Sequence, residues 1–229
     1  MEFSDKELFS QRERIFTAMS VMCKQIQEMY DTKNTNYLLV MNDIGLVSLC
    51  FGNINIGLTN KGEGFGSGYK YEEDDKQHYL IFNILDKSVD KYNKLELLEE
   101  FLKVFEVHYG NLIHALVHFD NMEQHKITME DINNKKSNEE FVNRKYEYNG
   151  FLQEILFLAE FEFGLRKDKL IDSSQILAFR DEYIEHIKKE RENKDTPVYY
   201  FTEDHYKETL KHINVVFDKL LNFVRYQSK

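Results

Sequence analysis

The chain has 229 residues, of which 42% are hydrophobic, enough to build the core of one large domain or two small ones. It carries 40 acidic and 30 basic residues, a formal net charge of −10, which argues against a protein that binds nucleic acid through a uniformly positive surface. Any RNA or DNA site must therefore be a local basic patch. A single proline and ten glycines are few for a protein rich in turns, so the composition favours helices.

Four further classes of protein are disfavoured by simple features of the sequence. The two cysteines, Cys23 and Cys50, form no CxxC pair, which argues against a disulfide scaffold and a zinc ribbon. The charged N-terminal stretch lacks the apolar segment of a signal peptide. The longest uncharged run, 44–60, is too polar to span a membrane. We therefore expect a cytoplasmic protein with no membrane partner.

The first predicted element is a long amphipathic helix. Ser4 and Glu7 have the spacing of a capping box, which is typical of a helix start. Apolar residues then recur at three- and four-residue spacing as far as Met29. Residues 34–36 are polar and are expected to end the helix.

The segment 37–58 supports two interpretations. As strands, it would give YLLVM, LVSLCF and INIGL, with turns at NDIG and GN. As a helix, it carries an unbroken three- and four-residue apolar series, consisting of Tyr37, Val40, Ile44, Val47, Phe51, Ile54 and Leu58. The two glycines beside this series cost a helix only about 1 kcal/mol each. We favour the helix because its period holds over seven positions.

Residues 61–76 are predicted to form a loop. The glycine-rich part, KGEGFGSG, lacks the Lys-Ser/Thr ending of a phosphate-binding loop. The acidic part that follows, YKYEEDDK, lacks the spacing of a calcium-binding loop. The interpretation is a flexible tip with a solvated acidic face.

Helical patterns fill the rest of the chain. We expect a short helix over 78–89, a long one over 95–119, a polar loop over 120–138, and helix starts at 137–140, 172–175 and 202–204. The predicted fold is an all-α bundle of about six or seven helices. It has no obvious domain break, although an N-terminal region, 1–136, differs in character from a C-terminal region, 137–229.

The most informative motif is RDEYIEH at 180–186. Arg180 is followed directly by the polar Asp181 and, after four more residues, by His186. ILAF precedes this motif, and the basic segment IKKER and a closing amphipathic helix follow it. The arrangement resembles the HEPN superfamily of helical proteins, whose hallmark is Arg, then Asn, Asp or His, then a few residues, then His. The resemblance covers about 141–225.

The resemblance implies a metal-independent endoribonuclease of toxin–antitoxin or anti-phage defence systems, including abortive infection. In such an enzyme, the 2′-hydroxyl of RNA attacks the neighbouring phosphate. His186 would exchange the proton, since histidine titrates near pH 6.5. Arg180 would hold the phosphate oxygens, and Asp181 would orient either side chain. The candidate substrate-binding residues are the basic residues after the motif, Lys188, Lys189 and Arg191.

The same resemblance implies a homodimer with both motifs in one cleft, and it requires neither a metal nor a cofactor. An antitoxin or regulator would be a further protein partner. On a straight helix, residues six positions apart lie about 9 Å apart along the axis and about 120° apart around it. Arg180 and His186 can therefore meet only if the helix ends or bends near Tyr183, or if a second copy completes the site.

Two other interpretations remain open. His114 and His118 lie one helical turn apart, a spacing that can bind zinc, but the glutamate that follows the first histidine in zinc proteases is absent. Such histidines are more often satisfied by hydrogen bonds. A non-catalytic helical interaction protein, such as an antitoxin, an inhibitor or a defence scaffold, would scatter Arg180 and His186 and expose an apolar patch instead.

Overall fold

The computed structural model describes residues 3–41, 43–49, 51–61, 66–132, 143–166, 172–193 and 201–227. Within these ranges, it describes only the backbone at 66–67, 165–166 and 223–227. The chain divides into two compact units, unit 1 at Met1–Asn133 and unit 2 at Asn134–Lys229. Unit 1 combines helices with a β-sheet, whereas the described part of unit 2 is helical. Among the described helices, none combines the length and the apolar character needed to cross a membrane.

The predicted all-α fold is wrong, because unit 1 contains a five-stranded mixed β-sheet. Its strands are β1 Leu38–Met41, β2 Ile44–Ser48, β3 Ile54–Thr59, β4 Gly66–Glu72 and β5 Gln77–Asn83. Their order in the sheet is β1-β2-β3-β5-β4. The central strands β3 and β5 are parallel, and the other neighbours are antiparallel.

The described helices accompany this sheet in unit 1 and build unit 2. Those of unit 1 are α1 Asp5–Asp31, α2 Lys94–Glu106, α3 Tyr109–His125 and the short α4 Met129–Ile132, with a 3₁₀ turn at Val89–Lys91. Those of unit 2 are α5 Lys145–Arg166, α6 Ser173–Glu192 and α7 Glu203–Gln227. In unit 1, α2 contacts β3, α3 contacts β4 and β5, and α1 packs on α2 and α3.

The segment 37–58 forms β1, β2 and β3, so the strand interpretation is confirmed and the favoured helix is wrong. A tight turn decides the outcome: Gly52 and Asn53 adopt φ angles of +57° and +53°, and Ile54 donates its backbone N–H to the Phe51 carbonyl at 3.0 Å. Two consecutive left-handed residues join antiparallel strands and cannot continue a right-handed helix. Ile54, Ile56 and Leu58 also alternate with a period of two, and all three are buried.

The predicted loop at 61–76 is also wrong, because Gly66–Glu72 is β4, an edge strand paired with β5. The predicted helix over 78–89 is replaced by β5, in which His78, Leu80 and Phe82 are buried at alternating positions. This alternation is the signature of a strand with one face in the core. This alternation decides the structure, and not the helical spacing of the apolar residues, because β5 pairs with a strand on each side, β3 and β4.

The long helix predicted over 95–119 is two helices, α2 and α3, separated at Val107 and His108. The predicted loop over 120–138 includes the end of α3 and all of α4. Both errors concern where a helix ends, which local spacing determines poorly.

Predicted helix starts that rest on capping residues are confirmed where the structure describes them. At α1, Ser4 donates its backbone N–H to Glu7 at 2.8 Å, and Glu7 donates its own to the Ser4 hydroxyl at 3.3 Å. Asp172 caps α6 in the same way, with Gln175 as its reciprocal partner. Thr202 precedes α7 and accepts the backbone N–H of His205 at 3.3 Å. The start predicted at 137–140 lies outside the described residues.

Candidate functional site

The motif RDEYIEH lies in the middle of α6 in unit 2. Tyr183, at the centre of the motif, is buried, and its hydroxyl donates to the backbone carbonyl of Ile155 on α5 at 3.0 Å. This contact fixes the rotation of α6 about its axis. As a result, Asp181 and His186 are exposed and Arg180 is half-buried.

Arg180 and Asp181 form an ion pair with each other. The guanidinium donates to the same carboxylate oxygen, Oδ1, from Nε at 3.0 Å and from Nη2 at 2.8 Å. Because both groups reach solvent, this pair contributes little free energy, and another anion can displace the carboxylate. The structure thus brings these two predicted residues together, while their catalytic roles stay predictions.

His186 does not join them within one copy. The helix continues without interruption from Ser173 to Glu192, and its sequence contains neither proline nor glycine, the usual causes of a kink. Arg180 and His186 therefore remain about 9 Å apart along the axis and about 120° apart around it. Completion of the site by a second copy is the remaining way to bring them together.

The candidate substrate-binding residues fall into two groups. Lys188 and Lys189 are exposed on α6, with the Lys188 ammonium 3.8 Å from the Glu185 carboxylate. Arg191 instead connects α6 to α7: it donates to Glu203 at 3.0 Å and lies over the Tyr206 ring at 4.2 Å. The two lysines therefore face solvent, whereas Arg191 has a structural contact.

The candidate zinc ligands His114 and His118 both lie on α3 of unit 1. Their ring centroids are 5.0 Å apart with an interplanar angle of 61°. His118 is buried and stacks on Tyr69 of β4 with the centroids 5.8 Å apart. His118 is thus part of an aromatic cluster in unit 1.

A buried polar cluster around His78 on β5 was not predicted from the sequence. The Nδ1 atom of His78 lies 2.7 Å from the Tyr69 hydroxyl, and its Nε2 atom lies 3.0 Å from a Glu123 carboxylate oxygen on α3. Burial lowers the pKa of His78. Burial, together with the negative charge of Glu123, raises the pKa of Tyr69. The two groups are therefore neutral at pH 7: Tyr69 donates to His78, and His78 donates to Glu123.

We expect unit 1 to lose stability as the pH falls below neutrality, because His78 binds a proton more readily in the unfolded chain than in the folded one. Its contribution is complete above the ordinary histidine pKa of about 6.5 and declines at lower pH. Thermal unfolding from about pH 7.5 to about pH 5 should show this fall, and His78→Gln should make it shallower. The control is His125→Gln, which alters an exposed histidine of the same unit. Equal pH slopes in the two variants would contradict the assignment.

A second feature missed from the sequence is a cleft between α1 and α3 in unit 1. At its floor, buried Asp120 accepts hydrogen bonds from Arg14 Nε at 2.6 Å, Arg14 Nη2 at 2.8 Å and Gln11 Nε2 at 3.0 Å. Arg14 Nη1 also donates to the Ser10 hydroxyl at 2.9 Å. The cleft encloses about 530 Å³, and Phe51, Gly52 and Phe119 form part of its wall.

In the comparisons with known proteins, no family model, no curated protein and no solved structure matches this chain.

Proposed function

We propose that unit 2 is a metal-independent endoribonuclease of the HEPN type, completed by a second copy of the chain. The observation that carries the proposal is the way α6 presents RDEYIEH. Tyr183 holds the helix on α5, which leaves Asp181 and His186 exposed and Arg180 half-buried. These side chains are accessible to an RNA backbone and to a partner copy.

The reaction needs one proton exchange and one anion-binding group. The 2′-oxygen forms a bond to phosphorus, and the bond from phosphorus to the 5′-oxygen breaks; the proton leaves the 2′-hydroxyl, and another is delivered to the 5′-oxygen. His186 carries out the proton exchange. Arg180 exchanges the Asp181 carboxylate for a phosphate oxygen, which its planar fork binds well.

A second copy would bring Arg180 and His186 together and would add positive charge beside them. A single α6 keeps Arg180 and His186 on different sides of the helix, so the site pairs Arg180 of one copy with His186 of the other. Lys188 and Lys189 of both copies add positive charge beside the cleft in a molecule with a net charge of −10. As a toxin of a defence system, the dimer is held inactive by an antitoxin or regulator.

The test is cleavage of a single-stranded RNA by the purified chain in the presence of EDTA. We expect products with 2′,3′-cyclic phosphate and 5′-hydroxyl ends, because the nucleophile belongs to the substrate. DNA of the same sequence lacks that nucleophile and should remain intact. Cleavage that stops on addition of EDTA, or that affects DNA equally, would contradict the mechanism.

A second candidate function, a non-catalytic interaction protein, is favoured by strand β1. This strand lies at one edge of the sheet, and Leu39, Val40 and Met41 are 48%, 49% and 57% exposed. The opposite edge, β4, carries Lys70 and Glu72, whereas β1 has no charged residue or proline. Because proteins usually protect edge strands with such residues, the bare edge of β1 can add a strand from a second copy.

We expect Val40→Lys to weaken self-association, because a charge on β1 would have to be buried when two edges pair. Light scattering over a concentration series should show the wild type approaching twice the monomer mass and the variant remaining below it. The control is Val107→Lys, the same change at a residue that is 66% exposed between α2 and α3. If both variants associate as the wild type does, β1 is not the contact. Association through β1 without any RNA cleavage would favour the interaction protein over the ribonuclease.

A further inference from the structure

The cleft between α1 and α3 has the size of a small-molecule site. Its volume of about 530 Å³ lies within the range of about 300–1,000 Å³ that is usual for such sites. Residues of α1 and α3 form its two sides, and the turn between β2 and β3 forms part of its wall. All of its residues belong to unit 1, and the ribonuclease proposal uses none of them.

The polar floor of the cleft is held in place by hydrogen bonds. Arg14 makes two bonds to Asp120 and one to Ser10, and Gln11 makes a further bond to Asp120. Asp120 accepts three hydrogen bonds, and the positive charge of Arg14 balances its negative charge. Neither side chain can turn away without breaking several of these bonds, so the floor is preorganised.

The aromatic wall is fixed by the turn between β2 and β3. Phe51 and Phe119 lie with their ring centroids 6.4 Å apart. Gly52 has a φ angle of +57°, and a Cβ atom at this position would lie 2.6 Å from the Phe119 ring. Only glycine allows the turn to approach the ring so closely. The two rings thus form a defined apolar surface inside the cleft.

The remaining charge of the cleft is negative. Its lining contains three carboxylates, Glu13, Asp120 and Glu123, and one cation, Arg14. Within the lining, Arg14 and Asp120 balance each other, which leaves Glu13 and Glu123. Glu13 also interacts with the buried Arg12, which lies outside the lining. Glu123 faces the Nε2 atom of His78, an uncharged donor that does not balance its charge. Carboxylates beside aromatic rings attract cations through both charge and the ring faces.

We propose that this cleft binds a small organic cation, with its flat apolar body against Phe51 and Phe119 and its positive group facing Glu13 and Glu123. The proposal depends on the cavity, the aromatic wall and the negative charge of the lining together. It is independent of RNA cleavage, so either proposal can fail without the other.

The test uses three probes of nearly equal shape on the full chain: benzamidinium, which is positive, benzamide, which is neutral, and benzoate, which is negative. Isothermal titration calorimetry, or chemical shifts of labelled Phe residues, measures their binding. We expect benzamidinium to bind at least about tenfold more tightly than benzamide, and benzoate to bind more weakly still. Equal affinities for the three probes, or no binding of benzamidinium at millimolar concentration, would overturn the proposal.

A pair of matched variants locates the site. Glu13→Gln removes one carboxylate from the lining and should weaken benzamidinium binding by about fivefold. Glu28→Gln makes the same change on an exposed part of α1 outside the lining and should leave binding unchanged. Gly52→Ala pushes on Phe119 and should weaken binding of benzamide as well as of benzamidinium. If Glu13→Gln and Glu28→Gln behave alike, the cation does not bind in this cleft.

Discussion

Replacement of His186 by alanine should lower the rate of RNA cleavage by about 10²–10⁴-fold, the usual effect of removing a group that transfers a proton. The variant should remain folded, because His186 is exposed on α6. Arg180→Ala should cost a similar factor through lost stabilisation of the phosphorane charge. Arg180→Lys should fall between this variant and the wild type, since it keeps the charge and loses the planar fork. The measurement is the initial rate on one defined RNA.

A site shared between two copies should recover activity in mixed dimers of the two inactive variants. When the Arg180→Ala and His186→Ala chains are unfolded and refolded together, some dimers combine an intact Arg180 from one chain with an intact His186 from the other. Activity should then rise above that of either variant alone. The control is His125→Ala, an exposed histidine on α3 of unit 1, which should cleave at the wild-type rate. Full activity in both folded variants would rule out the assignment, and a mixture that stays inactive would exclude the shared cleft.

The parts of the fold that the sequence predicted correctly are those determined by neighbouring residues. The starts of α1 and α6 follow from a capping side chain and its partner three positions later, Ser4 with Glu7 and Asp172 with Gln175. Both residues of each pair lie in one short window of sequence. Such helix starts can therefore be identified without knowing what the helix packs against.

The sheet was missed because its central contact is not local. Ile54 of β3 lies opposite His78 of β5 in a parallel pair, and no turn connects the two strands directly. Within 37–58, apolar spacing alone fits either a helix or strands, and pairing with distant residues decides between them. The GN turn and the alternation of Ile54, Ile56 and Leu58 were the available signals for strands.

The functional features could also be predicted only where their residues lie close together in the sequence. RDEYIEH could be found because its residues are contiguous, although their exposure depends on how Tyr183 docks on Ile155. The His78–Glu123 contact joins residues 45 positions apart, and the Arg14–Asp120 pair joins residues 106 positions apart. No sequence window contains both partners of either contact. A buried histidine in an alternating strand was the only local sign of the first one.

Replacement of Phe217 by alanine should destabilise unit 2 by about 3–5 kcal/mol, since it removes a large side chain from a packed interior. Phe217 on α7 is 0% exposed. Its ring contacts two rings of α6, Phe179 at a centroid distance of 5.8 Å and Tyr183 at 6.5 Å. The resulting cavity lies beside the side chain that sets the rotation of α6. The variant should therefore loosen the helix that carries the motif without touching any group proposed to meet RNA.

Hydrogen exchange with peptide resolution measures this effect unit by unit, which matters because the two units need not unfold together. Peptides from α6 and α7 should exchange faster in Phe217→Ala, whereas peptides from α1 and α3 should be unchanged. The matched control is Phe161→Ala, the same change on α5 at a side chain that is 50% exposed, and it should cost less than about 1 kcal/mol. Equal effects of the two variants would contradict the packing of α6 on α7. If cleavage by Phe217→Ala falls only in proportion to its unfolded fraction, Phe217 acts through stability and the chemistry stays with Arg180 and His186.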